Sequence, residues 1–272
     1  MAQRLRDDMR PGSPAAMPGC EPQPAVKATV RFVIVAARRT GSNLLCTLLG
    51  SHADVLCHHE LFNPGDIFYA LPLRGGTFSL GTLAERAADP MTFVARAWEQ
   101  NLGRRCVGFK MTRGQEPKVL DTLLADANVR VIVLRRANRI KTFVSELRAE
   151  ASRRWEVYDR AEVDPQRPKV HVDARALDAY IAQNEAFYSQ VDAALARCGK
   201  PVLRVTYERL LHDDEQRRIL AYLGLAGHGV ALSARSVKQN SCDLRELVEN
   251  YDALARELAG KPLADELSDR GL

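Results

Sequence analysis

The chain has 272 residues, of which 46% are apolar and 27% are charged, and its formal net charge is +5. This length and composition allow a sizeable core, in one large domain or two small ones. The slight excess of positive charge does not by itself indicate a nucleic-acid partner. We expect none, because the sequence lacks the Lys and Arg runs interleaved with aromatic residues that a single-strand-binding surface needs.

Simple patterns disfavour several other classes of protein. The six cysteines are scattered, with no CxxC pair and no Cys/His zinc spacing, so we expect neither a disulfide framework nor a metal site. No apolar stretch reaches the roughly 18 residues of a membrane span, and the N-terminus lacks the apolar region of a secretory signal. We therefore expect a cytoplasmic protein with a disordered segment at 1–28, rich in Pro, Gly and charge, and one domain at 29–272.

The first half of the chain alternates between strand and helix signals. Val30–Ala37 is a continuous apolar, β-branched run, typical of a strand that is buried on both faces. The polar turn RRTGSN then leads into the apolar helical run LLCTLLG. The further predictions are a strand at Val55–Cys57, a helix at Thr82–Gln100, a strand at Cys106–Met111, a helix at Pro117–Ala127, and a strand at Val129–Leu134 that leads into a helix.

The second half continues the alternation after one polar interruption. Arg153–Val172 is charged and bears two prolines, which indicates an insertion or a mobile segment. The elements predicted after it are a helix at Ala174–Cys198, a strand at Val202–Thr206, a helix at Glu215–Leu223 and an amphipathic helix at Leu244–Leu258. This pattern predicts an α/β fold with a central parallel sheet that is covered by helices.

The turn after the first strand has the composition of an anion site. A buried strand, a short turn with Gly and a helix start place backbone N–H groups at the positive end of the helix dipole. Gly41 would let an anion approach the backbone, and Arg39 would add a charge-assisted contact. The simpler alternative is an ordinary turn in which Ser42 caps the helix. The candidate phosphate-loop residues are Arg38, Arg39, Thr40, Gly41, Ser42 and Asn43.

This region resembles a known family. The stretch AARRTGSNLLCTLLGSHADVLCHHELFNP is similar to the 5′-phosphosulfate loop of bacterial sulfotransferases that use 3′-phosphoadenosine-5′-phosphosulfate (PAPS), notably the nodulation-factor and trehalose-type enzymes with an RTGS core. RVTYERLLHDDEQRRILAYLGL resembles a late strand and helix of the same family, and the similarity covers roughly Val30 to Gly260. The resemblance implies a P-loop-like α/β sheet and PAPS as the donor.

A second phosphate site is implied by VIVLRRANRIKTFVSEL. In the resembled family, an Arg at a strand end and a Ser in the next helix clasp the 3′-phosphate of the donor. Ser145 matches the serine, and either Arg135 or Arg136 matches the arginine, since successive strand residues point to opposite faces. The alternative is a solvated Arg pair. Lys238, in the loop SVKQNS, is implied to reach a phosphate of the nucleotide, or is merely exposed.

The catalytic base is expected in the segment CHHELF. Glu60 stands at the spacing from RTGS at which the trehalose-type relatives carry their base. In many eukaryotic relatives a His has this role, so His58 and His59 stay candidates. By the same resemblance, Arg39 would stabilise the charge that grows on the leaving phosphate, and we therefore expect no metal ion.

The predicted function is transfer of a sulfuryl group from PAPS to a hydroxyl of a carbohydrate or another hydroxylated small molecule. We expect the acceptor pocket in the segments 63–105 and 153–172. The sequence allows a homodimer but does not determine the oligomeric state. Two alternatives are a P-loop phosphotransferase acting with ATP and Mg²⁺, and a nucleotide-binding module without catalysis. The sequence lacks the GxxxxGK[ST] pattern and its Walker lysine, which disfavours the first. The carboxylate of Glu60 argues against the second.

Overall fold

The computed structural model describes residues 29–158, 168–226, 231–235 and 243–268. The segment 1–28, predicted to be disordered, and Lys238 lie outside the described residues. Within the described part of the chain, no helix combines the length and the apolar content needed to cross a membrane.

A parallel sheet forms the centre of the molecule, as the alternation of elements predicts. In the described residues its strand order is β2-β3-β1-β4-β5, and every pair is parallel. The strands are β1 (Val30–Ala36), β2 (Val55–Cys57), β3 (Cys106–Thr112), β4 (Val129–Arg135) and β5 (Val202–Thr206).

Strand β1 lies in the middle because its apolar run is buried on both faces. Val33 is opposite Phe109 of β3 on one side and Val131 of β4 on the other. The residues from Phe32 to Ala36 are all buried, as a two-sided parallel sheet requires. The predicted central strand is thereby confirmed.

Helices cover both faces of the sheet. Helices α3, α4 and α6 pack on the face that carries Val33 and Val35, whereas α1 and α7 pack on the face that carries Ile34. Helices α5, α8 and α9 form a further apolar cluster beside α6. The helices of the described residues are α1 (Ser42–Gly50), α2 (Leu83–Ala88), α3 (Pro90–Glu99), α4 (Pro117–Ala125), α5 (Arg139–Ser152), α6 (Ala174–Cys198), α7 (Asp213–Tyr222), α8 (Tyr251–Leu258) and α9 (Ala264–Ser268).

The single helix predicted at Thr82–Gln100 is wrong, because the chain forms two helices there. Asp89 has a non-helical backbone, and its side chain accepts a hydrogen bond from the N–H of Thr92. Pro90 occupies the first position of α3, where its missing N–H costs nothing. A capping residue followed by proline therefore ends α2 and starts α3.

The last predicted helix also begins later than expected. Leu244–Glu246 forms only a 3₁₀ turn, and α8 starts at Tyr251. The reason is a contact that is distant in sequence: Val170 donates its N–H to the carbonyl of Leu247 and accepts the N–H of Glu249. These backbone groups are thus used in a short bridge rather than in a helix.

Candidate active site

A cavity of about 760 Å³ opens beyond the carboxyl ends of the strands. Residues that follow β1, β4 and β5 line it, together with Lys110 and Thr112 of β3. Because β3 and β4 lie on opposite sides of β1, this is the switch point at which open parallel sheets bind their ligands. The volume lies in the range of small-molecule sites.

Gly41 shapes the turn at the end of β1. Its φ of 91° lies in the left-handed region, and it is the N-cap of α1. A Cβ atom at this position would lie 2.3 Å from Cδ2 of Tyr207, so the turn packs directly against that ring. The first N–H groups of α1 have no intrahelical acceptor, and Ser42 and Asn43 both line the cavity. The turn therefore presents the start of α1 to the cavity, and its role as an anion site stays a prediction.

Arg39 links the two predicted phosphate motifs. Its Nε donates to Oγ of Ser145 at 3.0 Å, although the two residues are 106 positions apart. Its Nη1 donates to the carbonyl of Trp155 at 2.6 Å. Burial lowers the pKa of Arg39, but a guanidinium keeps its proton in proteins. A fixed positive charge therefore stands between the start of α1 and Ser145.

The structure separates the two arginines at the end of β4. Arg136 lines the cavity, and its guanidinium lies 4.5 Å from the centre of the Tyr207 ring. Arg135 points to the other side, where its Nη2 lies 3.0 Å from a carboxylate oxygen of Asp192 and its guanidinium covers Tyr188. Arg135 is therefore held away from the cavity, which leaves Arg136 beside Ser145 and Arg39.

Thr40 and Arg38 lie less centrally than their place in the motif suggests. The hydroxyl of Thr40 donates to the carbonyl of Ala37 at 2.8 Å, and Thr40 is not among the residues that line the cavity. Arg38 lines the cavity but is exposed, with its Nη1 3.5 Å from Glu146. The hydroxyl of Thr40 thus stabilises the turn rather than facing a ligand.

Glu60 lines the cavity on the side opposite Arg136, and its carboxylate has three partners. Lys110 Nζ lies 3.0 Å from Oε1. Oε2 accepts hydrogen bonds from Asn63 at 2.6 Å and from Gln115 at 2.8 Å. Burial raises the pKa of Glu60, but Lys110 and Asn63 outweigh this effect and lower it overall. The carboxylate is therefore ionised at neutral pH and can accept a proton.

Lys110 is a site residue that the sequence interpretation missed. It is only 2% exposed, lies on β3, and places its ammonium between Glu60 and Oδ1 of Asn43 in the first turn of α1. A charged residue inside the otherwise apolar run CVGFKM is the signal that could have revealed it, because a buried charge needs a partner. Lys141 of α5, also buried, is a second cavity-lining lysine that was missed.

The two histidines lie behind Glu60 rather than in the cavity. His58 is fully buried, accepts the N–H of Ala70 on Nδ1, and has its pKa lowered to about 3 by burial. His59 has its pKa lowered to about 4, again mainly by burial. Its Nδ1 lies 3.3 Å from the hydroxyl of Tyr158. Both imidazoles are therefore neutral at neutral pH, and neither lines the cavity.

The side of the cavity near Glu60 is formed by the two segments expected to hold the acceptor. Asn63, Pro64 and Phe68 come from one segment, and residues 155–158 come from the other. Within Arg153–Val172, predicted to be an insertion or a mobile segment, Val157 is buried and Glu156 pairs with Arg74, whereas residues 159–167 lie outside the described part of the chain. No group of three or more potential metal ligands occurs among the described residues.

Comparisons with known proteins give relatives that cover most of the chain. No protein-family model matches the chain. The chain is 27% identical to Nodulation protein H of Rhizobium tropici over 240 residues, which are 86% of this chain and 91% of that protein. It is 25% identical to Nodulation protein H of Rhizobium meliloti (strain 1021) over 238 residues, which cover 86% and 93% of the two chains. Nodulation protein H is a sulfotransferase. The chain is therefore similar to bacterial sulfotransferases over most of its length, which supports sulfotransferase activity.

Two solved structures that resemble this chain are described as sulfotransferases. The sulfotransferase from Alicyclobacillus acidocaldarius is 18% identical, with a TM-score of 0.44, over 87% of this chain and 93% of that one. Mouse sulfotransferase SULT7A1 complexed with PAP is 12% identical, with a TM-score of 0.38, over 85% of this chain and 69% of that one.

Proposed function

We infer that this sulfotransferase takes the sulfuryl group from PAPS and transfers it to a hydroxyl of a saccharide or another hydroxylated small molecule. The observation that carries the proposal is the position of Arg39, whose guanidinium reaches Ser145 from the turn that starts α1. A donor that carries both a phosphosulfate and a 3′-phosphate needs two neighbouring anion sites, such as the start of α1 and Ser145.

The charges around the cavity favour such a donor. Positive side chains outnumber negative ones in the described lining, and Arg39, Lys110 and Arg136 are held by the surrounding structure. Forked guanidinium groups and helix N-termini are the usual protein partners of phosphate oxygens. We assign the 5′-phosphosulfate to the start of α1 with Arg39, and the 3′-phosphate to Arg136 with Ser145. Lys238 stays a predicted phosphate contact.

The proposed reaction is a direct displacement. The acceptor oxygen forms a bond to sulfur while the bond from sulfur to the bridging phosphate oxygen breaks, and adenosine 3′,5′-bisphosphate leaves. The acceptor proton passes to Glu60, which lines the cavity as a carboxylate. Arg39 and Lys110 stabilise the negative charge that develops on the leaving phosphate. His58 and His59 are the weaker candidates for the base, because they lie behind the cavity wall.

A thermal-shift comparison of two nucleotides tests the donor. Adenosine 3′,5′-bisphosphate should raise the melting temperature, because a ligand that binds only the native state stabilises it. ADP should raise it much less, since it lacks the 3′-phosphate that Arg136 and Ser145 would bind. Equal shifts with the two nucleotides would contradict the assignment.

Transfer itself is tested with sulfur-labelled PAPS and a panel of saccharides, phenols and alkyl alcohols. Label should appear in at least one acceptor product, in stoichiometric amount with adenosine 3′,5′-bisphosphate. ATP with Mg²⁺ serves as the control for the phosphotransferase alternative and should give no transfer. Binding of the nucleotide without transfer to any acceptor would favour the non-catalytic module.

A further inference from the structure

A partly buried polar cluster borders the cavity, and the reaction proposed above uses none of its groups. Glu156 is its centre: Oε2 lies 2.7 Å from Nη1 of Arg74, and Oε1 lies 3.5 Å from Nδ1 of His59. Tyr158 places its hydroxyl 3.3 Å from the same His59 nitrogen. We call Glu156, Arg74, His59 and Tyr158 the clamp, and residues 155–158 the strap.

The clamp joins two stretches of chain that are far apart in the sequence. Arg74 and His59 belong to the loop that follows β2, while Glu156 and Tyr158 follow α5, more than 80 positions later. Burial raises the pKa of Glu156, but its hydrogen bonds with His59 and Arg74 lower it well below its usual value. Since His59 is neutral, Arg74 provides the compensating charge and His59 provides a hydrogen bond.

The same cluster organises aromatic side chains on both walls of the cavity. The guanidinium of Arg74 lies 5.5 Å from the ring centre of Phe68 and 5.7 Å from that of Tyr158. Phe68 lines the cavity from the loop, and Tyr158 lines it from the strap. Arg74 therefore fixes the spacing between the two walls that flank Glu60.

The strap is also joined to the donor side of the cavity. The carbonyl of Trp155 accepts the hydrogen bond from Nη1 of Arg39, while Nε of Arg39 donates to Ser145. The position of the strap therefore affects where the Arg39 guanidinium sits. A shift of the strap would disturb the acceptor wall and the phosphosulfate loop together.

We propose that Glu156 is a positioning residue, which holds the strap against the loop after β2 so that Trp155 and Tyr158 form the acceptor wall and Arg39 is seated for transfer. The assignment of the two walls to donor and acceptor rests on the proposed function. The contacts that hold the strap do not, and they can be tested without knowing the acceptor.

Tryptophan fluorescence provides that test, because the chain has only two tryptophans. Trp155 is 41% exposed and belongs to the strap, whereas Trp98 is 7% exposed and belongs to the core on one face of the sheet. Quenching by acrylamide therefore reports mainly on Trp155. A Trp155→Phe variant gives the contribution of Trp98 alone.

In Glu156→Gln, the shape of the side chain is kept and its charge is lost. We expect the quenching constant of Trp155 to rise towards that of free N-acetyltryptophanamide. Glu150→Gln makes the same change of charge at an exposed position of α5 and should quench like wild type. Arg74→Gln should reproduce the effect of Glu156→Gln, because it removes the other half of the pair. A general loss of stability would lower the melting temperature without changing the quenching of the native state.

Adenosine 3′,5′-bisphosphate makes the test sharper. In wild type it should protect Trp155 further, through the contact between Arg39 and the Trp155 carbonyl. In Glu156→Gln, nucleotide at saturating concentration should give little protection, because the strap no longer holds the Trp155 carbonyl beside Arg39. If the variant quenches like wild type with and without nucleotide, the positioning role is wrong. If wild type does not bind the nucleotide at all, the proposed donor is wrong, while quenching without nucleotide still tests the clamp.

Discussion

The two sides of the cavity are built in different ways. The donor side consists of element ends, namely the turn into α1, the end of β4 and Ser145 within α5, and their positions follow from the parallel sheet. The acceptor side consists of two loop segments, 58–74 and 155–158, which are held together by side chains. The donor side presents arginines and helix N–H groups, whereas the acceptor side presents carboxylates and aromatic rings.

This difference implies that the two sides should respond differently to mutation. Donor-side groups rest on a rigid scaffold, so their loss should remove one contact at a time. Acceptor-side groups depend on one another, so their loss should displace neighbours as well. The predictions below separate the two responses, beginning with the largest expected effect.

Glu60→Gln should have the largest effect. It keeps the shape of the side chain but removes its basicity, so turnover should fall roughly 10²- to 10⁴-fold, the scale of a lost general base. Because the pKa of Glu60 is lowered below 4.5, wild-type turnover should not lose this base until the pH falls below that value. Single-turnover transfer from saturating labelled PAPS measures both effects.

The activity of Glu60→Gln is compared with that of His59→Asn. Binding of adenosine 3′,5′-bisphosphate is the control for both variants. Glu60→Gln should bind the nucleotide like wild type, since Glu60 lies on the other side of the cavity. His59→Asn should lose less activity. If Glu60→Gln transfers at a nearly normal rate while His59→Asn is inactive, the base is the histidine.

Arg39→Ala should lower turnover by roughly 10²- to 10³-fold, as loss of a preorganised donor to a developing negative charge does. Affinity for adenosine 3′,5′-bisphosphate should weaken only modestly, because the stabilisation grows in the transition state. Turnover and affinity are measured on the same preparation. A defect in affinity alone would assign Arg39 to ground-state binding.

Arg136→Ala should weaken binding of adenosine 3′,5′-bisphosphate roughly 10- to 100-fold, as expected for a hydrogen bond to a charged group. Arg135→Ala is the matched control, because the neighbouring guanidinium is bound to Asp192 on the opposite side. Isothermal titration calorimetry of both variants with adenosine 3′,5′-bisphosphate measures which arginine contributes to the affinity. A larger loss of affinity in Arg135→Ala would reverse the assignment of the phosphate site.

The last prediction concerns stability against acid rather than activity. His58 and His59 have pKa values of about 3 and about 4 in the native state, against 6.5 for an ordinary histidine. As the pH falls below 6.5, the unfolded chain takes up protons that the native state does not. The contribution of the two neutral histidines to the free energy of unfolding is therefore fully present above pH 6.5 and is lost as the pH falls towards 4. Each histidine contributes a slope of at most about 1.4 kcal/mol per pH unit.

Urea unfolding between pH 7 and pH 4.5 measures this slope. His58→Asn keeps an acceptor for the N–H of Ala70 and removes one titrating group, so its slope should be shallower than that of wild type. Identical slopes for the two proteins would show that His58 takes up its proton in the native state as readily as in the unfolded chain.

The sequence by itself determined most of the fold and the donor side of the site. The buried run at β1, the alternation of elements and the turn around Gly41 are local patterns, and each follows from burial or from backbone geometry. Helix α6 and strand β5 agree with their predicted bounds residue for residue. A strand that leads into a helix through a glycine turn presents helix N–H groups to an anion, so the turn at residues 38–43 could be predicted as an anion site without a structure, although Thr40 does not line the cavity.

Only the tertiary structure decided which neighbouring residue faces the cavity and which distant residues meet there. The sequence does not distinguish Arg135 from Arg136, but in the structure Arg135, the last residue of β4, pairs with Asp192, whereas Arg136 lines the cavity. Lys110 gains its partners, Glu60 and Asn43, only because the ends of β2, β3 and β1 lie side by side in the sheet. Glu156 looked like one charge in a polar insertion, and its role depends on Arg74, which the sequence places 82 positions away. Contacts between distant side chains leave no local pattern, and the acceptor side is made of them.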